Sequence, residues 1–269
     1  MSSLSLTVIQ PNPAWENKKA NLQMLFEKIE SIKERTEVVI LPEMFSTGFS
    51  MNTKMLAEKM DGETIVWMRN IALSKKIVLT GSVIIEAGGK YFNRLVWMLP
   101  NGEYGYYDKR HLFAFANEDQ YYTAGNKRLI ASVKGWKINL LICYDLRFPV
   151  WSRQTPFFAG EVPGVKQGFE YDVLIYVANW PERRSIAWKT LLRARAIENQ
   201  CYVVGVNRVG EDANKINYCG ESMIVDPLGE ILYQKANEED VFTFVLVKEK
   251  LDEVREKFPF WRDRDEFKL

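Results

Sequence analysis

Ile138-Asn139-Leu140-Leu141-Ile142-Cys143-Tyr144-Asp145-Leu146-Arg147-Phe148-Pro149 begins as an apolar run of strand length and turns abruptly polar. A run so rich in branched aliphatics reads as a buried strand. Cys143 stands at its end, where a chain leaving a sheet must turn, and Pro149 limits how far the next turn or short helix extends. A thiol in that place is a small buried hydrophobe, as free cysteines commonly are, or a covalent nucleophile held rigidly by the strand and facing a cleft. The stretch leaves both open, and the rest of the chain decides between them.

The chain of 269 residues is long enough for one large domain or two small ones with a real core. Its 36 basic and 35 acidic side chains nearly cancel, and no dense Lys/Arg block occurs, so nothing in the charge favours nucleic acid or an anionic membrane surface. No apolar stretch reaches the length of a membrane span. Met1-Ser2-Ser3-Leu4-Ser5-Leu6 lacks the regions of a signal peptide and enters a strand at once, so a cytoplasmic location is expected.

Cys143, Cys201 and Cys219 are widely spaced and odd in number, which argues against a disulfide framework and a structural zinc site. Cys201 and Cys219 are read as packing residues. The one histidine, His111, removes most metal-site designs and weakens any Ser-His-Asp arrangement. No metal and no cofactor is expected, and a cysteine enzyme built on this chain would take a base other than imidazole.

Working outward, strands are expected at Leu4–Gln10, Glu37–Leu41, Ile77–Glu86, Tyr91–Leu99, Glu103–Asp108, Asp172–Ala178, Tyr202–Val206, Glu221–Val225, Ile231–Gln234 and Val241–Val247. Helical spacing marks Leu22, Leu25, Phe26, Ile29 and Ile32, then Thr64–Lys76 and Arg184–Gln200. Gly88-Gly89 and Pro100-Asn101-Gly102 are hairpin signals. Residues 155–170 hold two Pro and three Gly without periodicity and read as a surface loop or insertion. The segment 248–269 reads as a charged, aromatic-rich tail. Strand–helix alternation mixed with hairpins suits two sheets packed face to face with helices outside, in a single domain over residues 1–269.

Four segments place reactive side chains just beyond strands: Glu43, Lys109 with Glu118, Cys143 with Arg147, and Asn179-Trp180. Singly, each has a duller reading: a helix-start carboxylate for Glu43, a solvated loop charge for Lys109, surface for Glu118, and a hydrogen-bonding loop residue for His111. Together, Leu41-Pro42-Glu43-Met44-Phe45, Asp108-Lys109-Arg110-His111-Leu112-Phe113 and Cys143 to Pro149 resemble the carbon–nitrogen hydrolase (nitrilase) superfamily. Its Glu, Lys and Cys occur in that order, and its second glutamate, seven residues before a Gly, falls on Glu118 before Gly125. The likeness runs over essentially the whole chain and is greatest to bacterial omega-amidases, although Val150 stands where many relatives carry Glu.

The resemblance implies an α/β fold, the four-layer αββα sandwich, and a catalytic set of Glu43, Lys109 and Cys143. In that scheme Cys143 attacks an amide carbonyl to form a thioester. Glu43 is the general base, and Lys109 with the backbone N–H of Tyr144 faces the oxyanion, where one donor is typically worth about 3 kcal/mol. A nearby cation that favours the thiolate narrows the gap of about four pKa units between carboxylate and thiol. Glu118 orients Lys109 or the substrate amide. Arg147 is placed for a substrate carboxylate, which a guanidinium fork holds bidentately, and Phe45, Phe113 and Trp180 wall the pocket.

The expected substrate is a small amide carrying a carboxylate, a short 2-oxo dicarboxylic monoamide such as α-ketoglutaramate or α-ketosuccinamate. The alternatives are deaminated glutathione, another small amide or an N-carbamoyl compound. A papain-like Cys143–His111 pair and a catalytically idle scaffold are the remaining rivals. The superfamily's habit of sending a C-terminal segment to a partner subunit implies a homodimer or higher homo-oligomer.

Overall fold

Thirteen strands form among the described residues, most of them where the apolar runs lie. The computed structural model describes residues 2–154 and 168–265. In chain order the strands are β1 (Ser3–Gln10), β2 (Val38–Ile40), β3 (Val78–Ala87), β4 (Lys90–Met98), β5 (Tyr104–Asp108), β6 (Ile130–Val133), β7 (Trp136–Ile142), β8 (Val173–Val177), β9 (Tyr202–Val206), β10 (Val209–Glu211), β11 (Asn217–Val225), β12 (Ile231–Ala236) and β13 (Asp240–Val247).

The first sheet runs β13-β1-β2-β3-β4-β5 and the second β10-β11-β9-β8-β7-β6, with β12 paired to β11. Each has a parallel centre, β1-β2-β3 in one and β7-β8-β9 in the other, flanked by antiparallel strands. A parallel strand covered on both faces must be apolar throughout, and all five residues of β8 are buried. The β3–β4 hairpin closes through Gly88 and Gly89 at φ of 60° and 73°, the conformation a two-residue primed turn requires.

The sheets face each other across one core, where Leu4, Leu6, Val38 and Trp97 from the first meet Trp136, Ile138 and Leu140 from the second. The helices Lys18–Glu30 and Glu63–Lys75 cover the outer face of the first sheet through Leu22, Leu25, Ile65 and Met68. The helix Ser185–Asn199 covers the second, with Trp188 and Leu192 inward. The four-layer αββα order follows. No helix among the described residues is long and apolar enough to cross a membrane.

β6, β10 and the start of the tail are among the elements that depart from expectation. β6 and β10 are short and carry too little apolar periodicity to stand out. The tail begins as a helix, Lys248–Lys257, with only Leu251 and Arg255 buried. Arg255 donates to Asp172 (2.9 Å) and to the carbonyls of Gln200 and Tyr171, so the segment docks on its own chain. Trp261 is buried, whereas Phe260 is exposed. Residues 155–167 of the expected insertion, and Phe267, lie outside the described residues.

Candidate active site

Glu43, Lys109, Cys143 and Asn179 each follow directly, or within a turn, the C-terminal ends of β2, β5, β7 and β8. The first two come from one sheet and the last two from the other, and their side chains converge at the seam.

Lys109 donates to Glu43 Oε1 (2.9 Å) and to both oxygens of Glu118 (3.0 and 2.9 Å). Asn93, inside β4, donates to the same Glu43 oxygen (2.8 Å) and to Glu118 (3.1 Å). Ser82 fixes its amide by donating to its Oδ1 (2.7 Å). The other Glu43 oxygen accepts the backbone N–H of Asn179 (2.8 Å), and the Asn179 amide returns to the Glu43 carbonyl (2.6 Å). Glu118 also accepts the N–H of Phe113 (2.6 Å). Glu43 and Lys109 are 1% exposed and Glu118 0%, so these are paired ions in a nearly dry place.

Gly125 explains how Glu118 gets there. Its N–H bonds the Lys109 carbonyl (2.9 Å), and a Cβ there would lie 2.1 Å from the Asp108 carbonyl oxygen. Only glycine lets the loop return this close.

Cys143 opens a single 3-10 turn, Cys143–Arg147, at a φ of 42°, the left-handed region that favours glycine. Asp145 holds this elbow. Its Oδ2 accepts the N–H of Ile142 (3.0 Å) and the Tyr107 hydroxyl (2.8 Å), and its Oδ1 accepts the His111 N–H (3.0 Å) and bonds its Nδ1 (2.8 Å). His111 therefore ties the Lys109 loop to the elbow, with its ring stacked on Phe148 at 3.9 Å. It is a partner of Asp145 and not of the thiol, which removes the geometric basis for a Cys143–His111 pair.

Burial pushes the Cys143 thiol well above its ordinary value, and the Glu43 carboxylate adds to this, while Lys109 opposes them. Burial and Glu43 thus outweigh the cation that, on the sequence reading, favours the thiolate and narrows its gap to the carboxylate. For Lys109, burial disfavours the charge, but Glu118 and Glu43 overcome it and raise the ammonium above the ordinary lysine range. Burial also raises Glu118, against the pull of Lys109.

The Cys143 thiol and Lys109 open onto a cleft of about 610 Å³. Phe113, Trp180 and Arg147 line it, and so does Tyr144, whose backbone N–H is the part the sequence reading assigns to the oxyanion. Phe45 does not. It lies in the apolar layer under the first sheet, its ring 6.1 Å from that of Trp67. Met44, at a φ of 44°, reverses the chain between Glu43 and Phe45, so one side chain enters the cleft base and the other the core. Sequence reading missed Asn93, Ser82 and Arg184. Asn93 left one signal, a lone amide in a Tyr91–Leu95 run that apart from Arg94 is aromatic and aliphatic.

The set can move a proton between thiol and carboxylate and keep a cation beside an oxygen that gains charge. Among the described residues, no group of three or more His, Cys, Asp or Glu could hold a metal ion. The carbon-nitrogen hydrolase family pattern matches residues 5–256. The chain belongs to that family. Omega-amidase YafV of Escherichia coli strain K12 is 42% identical to this hydrolase over 270 residues, spanning all of both chains. The 2-oxoglutaramate amidase of Bacillus subtilis is 30% identical over 98% of this chain and 96% of its own. The crystal structure of XC1258 from Xanthomonas campestris, a CN-hydrolase superfamily protein with an arsenic adduct in its active site, shares 43% identity with a TM-score of 0.95 over the full length of both chains. The protein is a hydrolase of carbon–nitrogen bonds other than peptide bonds.

Proposed function

We propose that this hydrolase is an omega-amidase, which releases ammonia from the terminal amide of short 2-oxo dicarboxylic monoamides such as α-ketoglutaramate and α-ketosuccinamate. One observation carries the reading: a thiol, a carboxylate and an ammonium meet at the base of a cleft whose wall bears guanidiniums. The omega-amidase and 2-oxoglutaramate amidase relatives support it.

The Cys143 sulfur attacks the amide carbon, and the S–H proton passes to Glu43. The carbonyl oxygen, now an oxyanion, faces Lys109 and the Tyr144 N–H. Glu43 then gives its proton to the amide nitrogen as the C–N bond breaks, releasing ammonia and leaving a thioester. Water loses a proton to Glu43 and attacks the thioester carbon; the C–S bond breaks and the sulfur regains that proton. Burial and Glu43 both raise the thiol, so in this scheme proton removal accompanies attack. Glu118 and Asn93 hold Lys109 and Glu43 in place, and Arg147 receives the far carboxylate.

The test is ammonia release from α-ketoglutaramate and from deaminated glutathione by wild type and Cys143→Ala. A strong preference for the first, lost in the variant, is expected; preference for the second would keep the mechanism and replace the substrate, and silence on both would overturn the reading. Three free, buried cysteines suit a reducing compartment, which supports a cytoplasmic location. A homodimer is part of the same proposal, supported by the exposed Phe260 at the end of the docked tail, and a monomeric mass in sedimentation at micromolar concentration would refute it.

A further inference from the structure

The charged side chains that line the cleft divide into two groups. Every carboxylate is held by the protein itself. Asp212 accepts from the N–H groups of Asn214 (2.8 Å) and Ile216 (3.1 Å) and from the Tyr218 hydroxyl (3.0 Å). Glu16 accepts from Ser50 (2.5 Å) and Asn52 (3.3 Å). Lys109 is likewise enclosed. The guanidiniums of Arg147, Arg183 and Arg184 line the same space and have no carboxylate partner among the described residues.

Two of them are braced on aromatic faces. Arg147 lies 5.1 Å from the Trp180 ring centroid and Arg184 5.0 Å from that of Phe113. Trp180 also donates its indole N–H to the Arg184 carbonyl (2.8 Å), and the Arg184 N–H bonds Pro181 (2.9 Å), which fixes the backbone. A guanidinium against a ring keeps its in-plane donors free for a planar, two-oxygen anion. Just beyond, Glu221 of β11 binds Ser185 and Lys189 (2.7 Å) of the helix that follows Arg184, so this nearby carboxylate is engaged with other partners.

Arg147 and Arg183 are exposed, but Arg184 is half-buried. Burial and the neighbouring Arg183 and Arg147 charges hold it below its ordinary value, while Cys143 is close enough to act on it in the opposite sense. Partly desolvated, repelled by like charges and lacking a counter-ion, it is the guanidinium that gains most from an anion.

We infer that Arg184, with Arg147 beside it, is the receptor for the substrate's carboxylate and sets the enzyme's preference for amides that carry an anion at the end opposite the reacting group. The inference rests on the omega-amidase reading and assigns specificity to a residue beyond Arg147. It predicts that a dicarboxylate product also occupies the cleft.

The probes are succinamate and butanamide, which differ in one end, carboxylate against methyl. Wild type is expected to prefer succinamate. Arg184→Gln should reduce the ratio of the two kcat/KM values by about 10- to 100-fold, the range for a lost charge-assisted hydrogen bond, through KM for succinamate with kcat little changed. Arg184→Lys, which keeps the charge and loses the fork, should fall between. An unchanged ratio, or an equal fall on both amides, overturns the inference and leaves the omega-amidase reading standing. A wild type without preference, or inert on both, overturns the substrate reading, and calorimetric titration with succinate then decides the receptor: binding lost in Arg184→Gln supports it, and equal binding refutes it.

Discussion

At the base of the cleft one lysine is enclosed by two carboxylates, whereas on its wall three arginines have none among the described residues. The base is buried, so its ions had to be matched within the chain; an unpaired charge there would be several kcal/mol uphill. The wall borders solvent, where water sustains unmatched cations until a ligand displaces it. On the proposed mechanism, the charges assigned to the chemistry are thus compensated within the chain, and those assigned to selecting the ligand are left incomplete. Between the two lies the thiol, raised by the same burial that makes the base selective for paired ions.

Lys109→Met attacks this contrast where the effect is largest. It strands Glu43 and Glu118 together and should destabilise the fold by about 3–5 kcal/mol, with at least ~10²-fold loss of kcat/KM. Burial already raises Glu118, and loss of the cation raises it further. A carboxylate raised in the folded state is stabilising below the unfolded value and loses that contribution as pH rises through the folded one. The variant's deficit in thermal melting should therefore grow from pH 5 to pH 8. Arg147→Gln, on the unpartnered wall, should shift stability by no more than about 0.5 kcal/mol; equal deficits would erase the contrast.

Glu43→Gln sharpens it. Removing a carboxylate that raises the Cys143 thiol leaves Lys109, which lowers it, so the thiolate midpoint should fall while activity drops by about 10²–10⁴-fold. Ultraviolet titration against a Cys143→Ala background isolates this thiol from Cys219, which burial and Glu221 push up to about 11. An upward midpoint would contradict the assignment.

The smallest effect is expected from His111→Ala. The imidazole binds Asp145, which keeps its bonds to Ile142 and Tyr107, so kcat/KM should fall less than about 10-fold. Abolished activity would restore His111 as a base.

The family and its sandwich were legible because they rest on apolar runs and on three motifs in chain order. What sequence could not supply was direction. Glu43 and Phe45 are two apart and read alike as strand-end residues, yet the left-handed Met44 sends them to opposite sides of the sheet. Asn93 acquires its meaning only from the β3–β4 register, which sets it against Ile84 and near Ser82. Arg184 reads as the first residue of a helix with a core stripe, but that helix begins at Ser185 and the arginine faces the cleft. The helix at Lys248–Lys257 escaped because a single leucine and an arginine stem form its buried face. The bonds among Glu43, Lys109, Glu118 and Asn93 are contacts between distant segments, which spacing along the chain does not encode.

Glu43 and Lys109 hang from one sheet and Cys143 and Asn179 from the other, with the Asn179–Glu43 pair of hydrogen bonds as the clasp. The groups proposed to react are therefore aligned by how two slabs sit on each other, and a misplacement of 1 Å is enough to cost about 10²-fold in rate. Turnover becomes a gauge of sliding within the sandwich. Mild warming or dilute denaturant should silence the enzyme while its circular dichroism is still intact, and a methyl group added or removed deep between the slabs, far from any substrate, should be felt first in kcat.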